Sequence, residues 1–156
     1  MPRKKYIRKR EISPDPKYQS KEVAKFINCL MKKGKKSIAC TIFYKAVDIA
    51  SKKAEQDPLT LFKKAIENVR PLLEVRAKRV GGATYQVPME VRTNRGTSLA
   101  TRWIIDFARG RKGLPMEEKL AAELLDAFKK EGNTIRKKEE THRMAEANRA
   151  FAHYRW

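Results

Sequence analysis

The side chains able to do chemistry in this 156-residue chain are mostly cations arranged around glycines. Lys32-Lys33-Gly34-Lys35-Lys36 sets four lysines about one glycine, and Arg76, Lys78 and Arg79 lead up to Gly81-Gly82. Lysine and arginine beside backbone N–H groups at a helix start hold phosphate oxygens, arginine through two parallel hydrogen bonds. GKKS at 34–37 is not a nucleotide-binding loop, because GxxxxGK[ST] needs a glycine where Cys29 stands. Equipment for breaking bonds is not recognisable. His142 and His153 have no cysteine near them and are not read as metal ligands. Glu139 and Glu140 are adjacent, so on a helix they diverge and cannot work as paired carboxylates. G-x-S-x-G, H-E-x-x-H and C-x-x-C do not occur. The expectation is a binding protein, not an enzyme, with no catalytic residue, metal or cofactor.

What it binds follows from charge. Subtracting 18 acidic from 37 basic residues leaves +19. Such a surplus opposes compaction unless a polyanion neutralises it. Nucleic acid is the first candidate and an anionic membrane surface the second. No apolar run reaches the length of a membrane span, and no basic-then-apolar leader stands at the start, so the chain reads as soluble and not secreted. Cys29 and Cys40 fall within apolar helical patterns and read as a reduced core pair. Arg3, Lys4, Lys5, Arg8, Lys9 and Arg10 crowd the first ten residues without an acid, and Pro14 and Pro16 follow. Residues 1–19 therefore read as an extended basic N-terminal arm that orders on RNA phosphates.

The remaining cations need elements to position them, and residues 20–156 read as one helical domain carrying a hairpin arm at 72–91. Gly81-Gly82 supplies the positive φ of a primed turn. The register then sets Val80 opposite Ala83, Lys78 opposite Tyr85 and Arg76 opposite Val87 on one face. Arg79 with Thr84, Ala77 with Gln86 and Val75 with Pro88 form the other. A two-stranded ribbon is marginal alone, so it reads as an arm leaving a folded body, with Tyr85 the one ring at a basic tip.

Six helices account for the rest. Ser20 caps the first, whose stripe is Val23, Phe26, Ile27 and Leu30, with Gly34 as its end. Ile38 to Ala54 is apolar nearly all round and reads as the buried central helix. Asp57-Pro58 starts the third, with Leu59, Phe62, Ile66 and Val69 inward. A fourth packs Leu99, Trp103, Ile104 and Phe107 and carries Arg92, Arg95, Arg102 and Arg109 around its other sides, with Arg111-Lys112 after its end. Pro115 opens a fifth with Leu120, Leu124, Leu125 and Phe128 as core and Gly132 as stop; Glu117 and Glu118 sit near its positive end and need no catalytic role. A sixth, from Thr134, puts Arg136, Lys137 and Lys138 at its start, cations that oppose the macrodipole and call for an external anion. The terminal aromatics among Arg149, His153, Tyr154, Arg155 and Trp156 suit either RNA stacking or a helix end folded onto the body.

FINCLMKKGKKSIACTIFYKA (26–46), RVGGATYQVPMEVR (79–92) and RMAEANRAFAHYRW (143–156), with ENVRP at 67–71 and SLATRW at 98–103, closely resemble the bacterial small-subunit ribosomal protein seven family over essentially the full length. The resemblance implies a mainly α fold, a six-helix bundle with one protruding two-stranded β-hairpin. It implies a primary binder that nucleates the rRNA head domain at the subunit interface, beside exit-site tRNA, with messenger RNA nearby and ribosomal proteins nine and eleven as neighbours. Carried over, the 3–10 arm, Lys35, Lys36, Arg76, Arg92, Arg95, Arg102 and Arg109 contact rRNA, and Arg111, Lys112, Arg136 and Lys137 are added to that set. Lys78, Arg79, Val80, Gly81, Gly82, Ala83 and Tyr85 border the tRNA, with His142, Arg143, Ala147 and Asn148 close by.

Overall fold

In the computed structural model, which describes residues 11–154, the chain enters the body before its first helix does. Asp15 is buried, its Oδ2 accepting from the Lys17 and Tyr18 amides and its Oδ1 from the Tyr44 hydroxyl at 2.7 Å. The described end of the expected arm is thus fastened to the body at Asp15. Arg3 to Arg10 lie outside the described residues.

Helix α1 (Lys21–Leu30) buries Val23, Ala24, Phe26, Ile27 and Leu30, as the spacing predicts. It ends at Leu30, earlier than Gly34, which lies in the turn that follows. Helix α2 (Lys36–Ala54) is less central than its composition suggests. Ala39, Phe43, Ala46, Val47 and Ala50 are buried, but Ile38 is 53% exposed. Helix α3 (Pro58–Val69) starts as predicted, with Asp57 Oδ2 accepting from the Thr60 amide at 2.9 Å. Phe26, Phe43 and Phe62 join α1, α2 and α3, their ring centroids 5.2–5.3 Å apart and mostly edge to face. Full burial of such a ring contributes about 1.5–3 kcal/mol before packing geometry adds to it.

Strands β1 (Leu73–Val80) and β2 (Ala83–Glu90) form the hairpin in the predicted register, from Val80↔Ala83 through Val75↔Pro88. Gly81 and Gly82 have φ of 55° and 91°, and their turn stands clear of other atoms. Helix α4 (Thr93–Gly110) faces inward with Ala100, Thr101, Ile104, Ile105 and Ala108; of the four residues expected there only Ile104 is fully buried. The difference has a local cause. A Cβ on Gly96 would lie 2.8 Å from Arg70 Cγ and 3.3 Å from the Pro71 carbonyl, so α4 meets the α3–β1 corner along its small residues. Leu99, Trp103 and Phe107 are left half-buried beside that line.

Helix α5 (Met116–Phe128) is the central element, touching α2, α3, α4 and α6. It ends at Phe128, and Gly132 opens α6 (Gly132–Ala147) instead of stopping α5. The described residues hold seven helical elements, the seventh being a 3-10 helix at Arg149–Tyr154. The architecture is mainly helical with one two-stranded antiparallel hairpin. Cys29 is exposed and Cys40 half-buried, so they are free thiols but not a core pair. Cys29 falls outside the inward stripe of α1, which apolarity alone did not reveal. Among the described residues no helix is long and apolar enough to cross a membrane.

Candidate nucleic-acid interface

Cations occupy separate places on this body, and the fold treats them differently. Lys35 is the N-cap of α2 and Lys36 its first residue; both are exposed, with no acidic partner among the described residues. Arg95, Arg102 and Arg109 recur every seven residues, so they lie nearly in one line along α4 over about 21 Å. Arg102 and Arg92 are exposed and make no ion pair among the described residues. Arg95 lies 2.8 Å from Glu74 on β1, and Arg109 Nη2 donates to the Leu30 carbonyl at 3.1 Å. Both guanidiniums are therefore held in position while keeping donors to spare.

Arg111 is different. It donates to Glu123 from Nε at 2.9 Å and from Nη2 at 2.6 Å, and it also meets Asp126. Glu123 is 1% exposed and accepts from the Thr134 hydroxyl as well. Burial works against the charge on Arg111, but its bonds to Asp126 and Glu123 outweigh that and hold its pKa above the ordinary arginine value. Arg111 neutralises a buried carboxylate and joins the end of α4 to α5 and, through Thr134, to α6. Its neighbour Lys112 stays exposed. Sequence reasoning missed Glu123, which stands one turn from Leu120 and Ala127 on the face read as purely apolar.

On α6, Arg136, Lys137 and Arg143 border a broad groove that also touches Phe107 of α4. Lys137 is paired with Glu140 at 2.7 Å, while Arg136 and Arg143 are exposed. In the second turn of α6, Lys138 Nζ donates to the Asn68 carbonyl, at the negative end of α3, at 2.6 Å. Burial first, then Lys130 and Arg70, push the Lys138 pKa down. Asn68 in turn donates from Nδ2 to the Ala127 and Phe128 carbonyls, each at 3.0 Å, closing the end of α5. The ends of α3 and α5 are thus satisfied together, one by a side chain of α6, an arrangement no local spacing announces.

The hairpin does not stand wholly free of the body. Its Lys78–Tyr85–Val87 face turns to the C-terminal segment, and Val87 is fully buried. The Tyr85 ring lies 5.3 Å from Phe151 and 5.0 Å from Tyr154, and Lys78 Nζ donates to the Tyr154 carbonyl at 3.0 Å. At the root, the Leu72 amide donates to His142 Nε2 at 3.0 Å. Burial, then Lys138, holds the His142 pKa below its ordinary value, consistent with a neutral acceptor nitrogen. Arg76, Arg79, Gly81, Gly82, Ala83 and Thr84 remain exposed, with Val80 half-buried between them. Ala147 is exposed at the end of α6, and the Asn148 side chain donates to the Met144 carbonyl at 2.7 Å. Of the two readings of the terminal aromatics, Phe151 and Tyr154 follow the one folded onto the body; Arg155 and Trp156 lie outside the described residues.

Among the described residues no group of three or more His, Cys, Asp or Glu side chains could hold a metal ion. The arrangement offers anchored guanidiniums, exposed lysines and a basic turn, which suit phosphates and not bond cleavage.

Comparison with known proteins agrees with this chemistry. Residues 2–149 match the family model described as ribosomal protein S7p/S5e. The chain is 63% identical to the small ribosomal subunit protein uS7 of Thermodesulfovibrio yellowstonii, 62% to that of Dictyoglomus turgidum and 58% to that of Anaeromyxobacter dehalogenans, each over the full length of both chains. With residues 2–149 matched by the family model and relatives this similar over the full length, the chain belongs to the S7p/S5e ribosomal proteins.

Proposed function

We propose that this protein is a primary rRNA-binding protein of the small-subunit head, where it nucleates folding of that RNA domain and lies at the subunit interface. The broader part follows from family membership: it is a structural, non-enzymatic constituent of the small ribosomal subunit and belongs to the cytoplasmic ribosome. In the finer reading Lys35, Lys36, Arg76, Arg92, Arg95, Arg102, Arg109, Lys112, Arg136 and Lys137 meet rRNA, joined by the basic residues at 3–10. The turn from Lys78 to Ala83 borders exit-site tRNA, with Tyr85, His142, Arg143, Ala147 and Asn148 behind it and messenger RNA nearby. Ribosomal proteins nine and eleven are the protein neighbours. Arg111 does not join the rRNA contacts, because its guanidinium is committed to Glu123 and Asp126.

The observation that carries the reading is the distribution of unpaired cations. Lys35 and Lys36, Arg92 and Arg102, and Arg136 are exposed on three different elements and make no ion pair among the described residues. A-form RNA hides its base edges in a deep groove, so a protein reads it through shape, phosphates and 2′-hydroxyls. A rigid body with basic places on several elements can hold several RNA helices at fixed angles, which is what nucleation requires. If about 8 phosphates are neutralised, log affinity against log salt has a slope of roughly −6 to −7 on the head-domain rRNA transcript. A slope near zero, or equal binding to a generic duplex, overturns the reading.

A further inference from the structure

At the α1–α2 junction the surface holds a hollow of about 260 Å³ whose purpose phosphate contact alone does not explain. Leu30, Ala39, Ile42 and Met116 line it, with Ile38, 53% exposed, beside them. Its charged lining is Lys32, Lys35 and Arg109, and no acidic side chain lines it. Glu117, next to Met116, is engaged by Lys45 at 3.6 Å. Lys32 and Lys35 make no ion pair among the described residues, and Arg109 is fixed by its bond to the Leu30 carbonyl. Cations bound only to a duplex backbone need a solvated surface, not an apolar recess beneath them. A recess of this size is also below the range of about 300–1,000 Å³ typical of drug-sized ligands, and it is no groove for a helix.

We propose that this hollow takes a single unpaired nucleotide of the bound RNA, its base against Ile38, Ile42 and Met116 and its phosphate at Lys35 and Arg109. The inference rests on the RNA-binding reading above and adds the class of nucleotide: one splayed out of its helix. The complementarity is twofold. Every nucleotide brings an anion and a flat, weakly polar face a fixed distance apart, and the hollow offers cations and aliphatic side chains side by side. Extruded bases are the part of folded RNA that protein side chains read most directly.

The test uses the full-length protein and the head-domain rRNA transcript. Filter binding is followed across potassium chloride concentrations, base accessibility by dimethyl sulfate and nucleotide flexibility by 2′-hydroxyl acylation. Ile38 is exposed, so Ile38→Asn leaves the fold intact, which thermal unfolding checks. The variant is expected to bind about tenfold more weakly with an unchanged salt slope. It should also unmask one unpaired nucleotide that the unsubstituted protein protects. Lys35→Gln is expected to flatten the slope by about 0.7–0.9. If the unsubstituted protein binds the transcript specifically while Ile38→Asn alters neither affinity nor footprint, this inference falls and the RNA-binding reading stands. If the unsubstituted protein shows no preference for the transcript, the broader reading has failed first. If Ile38→Asn spares RNA binding but costs a small-subunit protein its place on the assembled particle, the occupant is a peptide and the nucleotide assignment is overturned.

Discussion

Lys78 Nζ and the Tyr154 carbonyl, 76 positions apart in the chain, are 3.0 Å apart in space. With Tyr85 against Phe151 and Tyr154, this contact makes the C-terminal segment a brace on the hairpin. Tyr85→Ala removes both ring contacts, each worth about 0.5–1.5 kcal/mol beyond burial. The expected result is faster amide hydrogen exchange through residues 73–90 with little change in the melting of the helical body. Unchanged exchange in the hairpin would show that the brace does not hold it.

Arg111 and Glu123 give a second test, because the carboxylate is buried and the arginine is its main counter-charge. Arg111→Ala strands that charge and is expected to cost about 3–5 kcal/mol, read by urea unfolding. The pair Arg111→Met with Glu123→Leu removes both charges and should recover most of the loss. A single substitution as harmless as the double would contradict the role assigned to the pair.

The hairpin root should respond to acid. His142 accepts the Leu72 N–H through Nε2, and protonation turns that nitrogen into a donor and breaks the bond. Because burial holds the folded-state pKa below the usual 6.5, the unfolded chain takes up the proton first. The contribution is present above pH 6.5 and is lost as pH falls below it. Histidine titration by NMR should show His142 titrating below the ordinary histidine value, and Leu72 exchange, corrected for its intrinsic pH dependence, should rise over the same window. His142→Gln should weaken the dependence.

RNA affinity separates the arginines of the interface from those of the fold. Arg102→Ala is expected to reduce the salt slope on the head-domain transcript by about 0.7–0.9, the share of one phosphate. Arg111→Met, combined with Glu123→Leu to keep the fold, should leave the slope unchanged. Equal effects would place Arg111 on the RNA after all.

What could be read from the chain, and what could not, divides by the range of the interaction. The Gly81-Gly82 turn sets every rung of the hairpin through local backbone geometry, and Asp57-Pro58 does the same for the start of α3. Both were legible because neighbours in sequence decide them. Glu123, Asp15 and Asn68 were not, since each is meaningful only with partners from distant elements. The inward face of α4 was misjudged for a related reason: size was taken as the mark of the core, whereas the buried face includes small residues, with no room for a side chain at Gly96. Among the candidate site residues the element that carries each was inferable, but how far it is exposed, and whether the fold holds it, depends on which acid or carbonyl the folded chain brings to it.

Braced at Lys78 and Tyr85, the hairpin behaves as a short cantilever. Only the rungs Arg79–Thr84 and Val80–Ala83 and the turn project beyond the support, about 7 Å of ribbon before the loop. Bending stiffness falls steeply with free length, so a stub that short transmits force into the C-terminal segment before it flexes. A load on the glycine turn should therefore be felt at Tyr154.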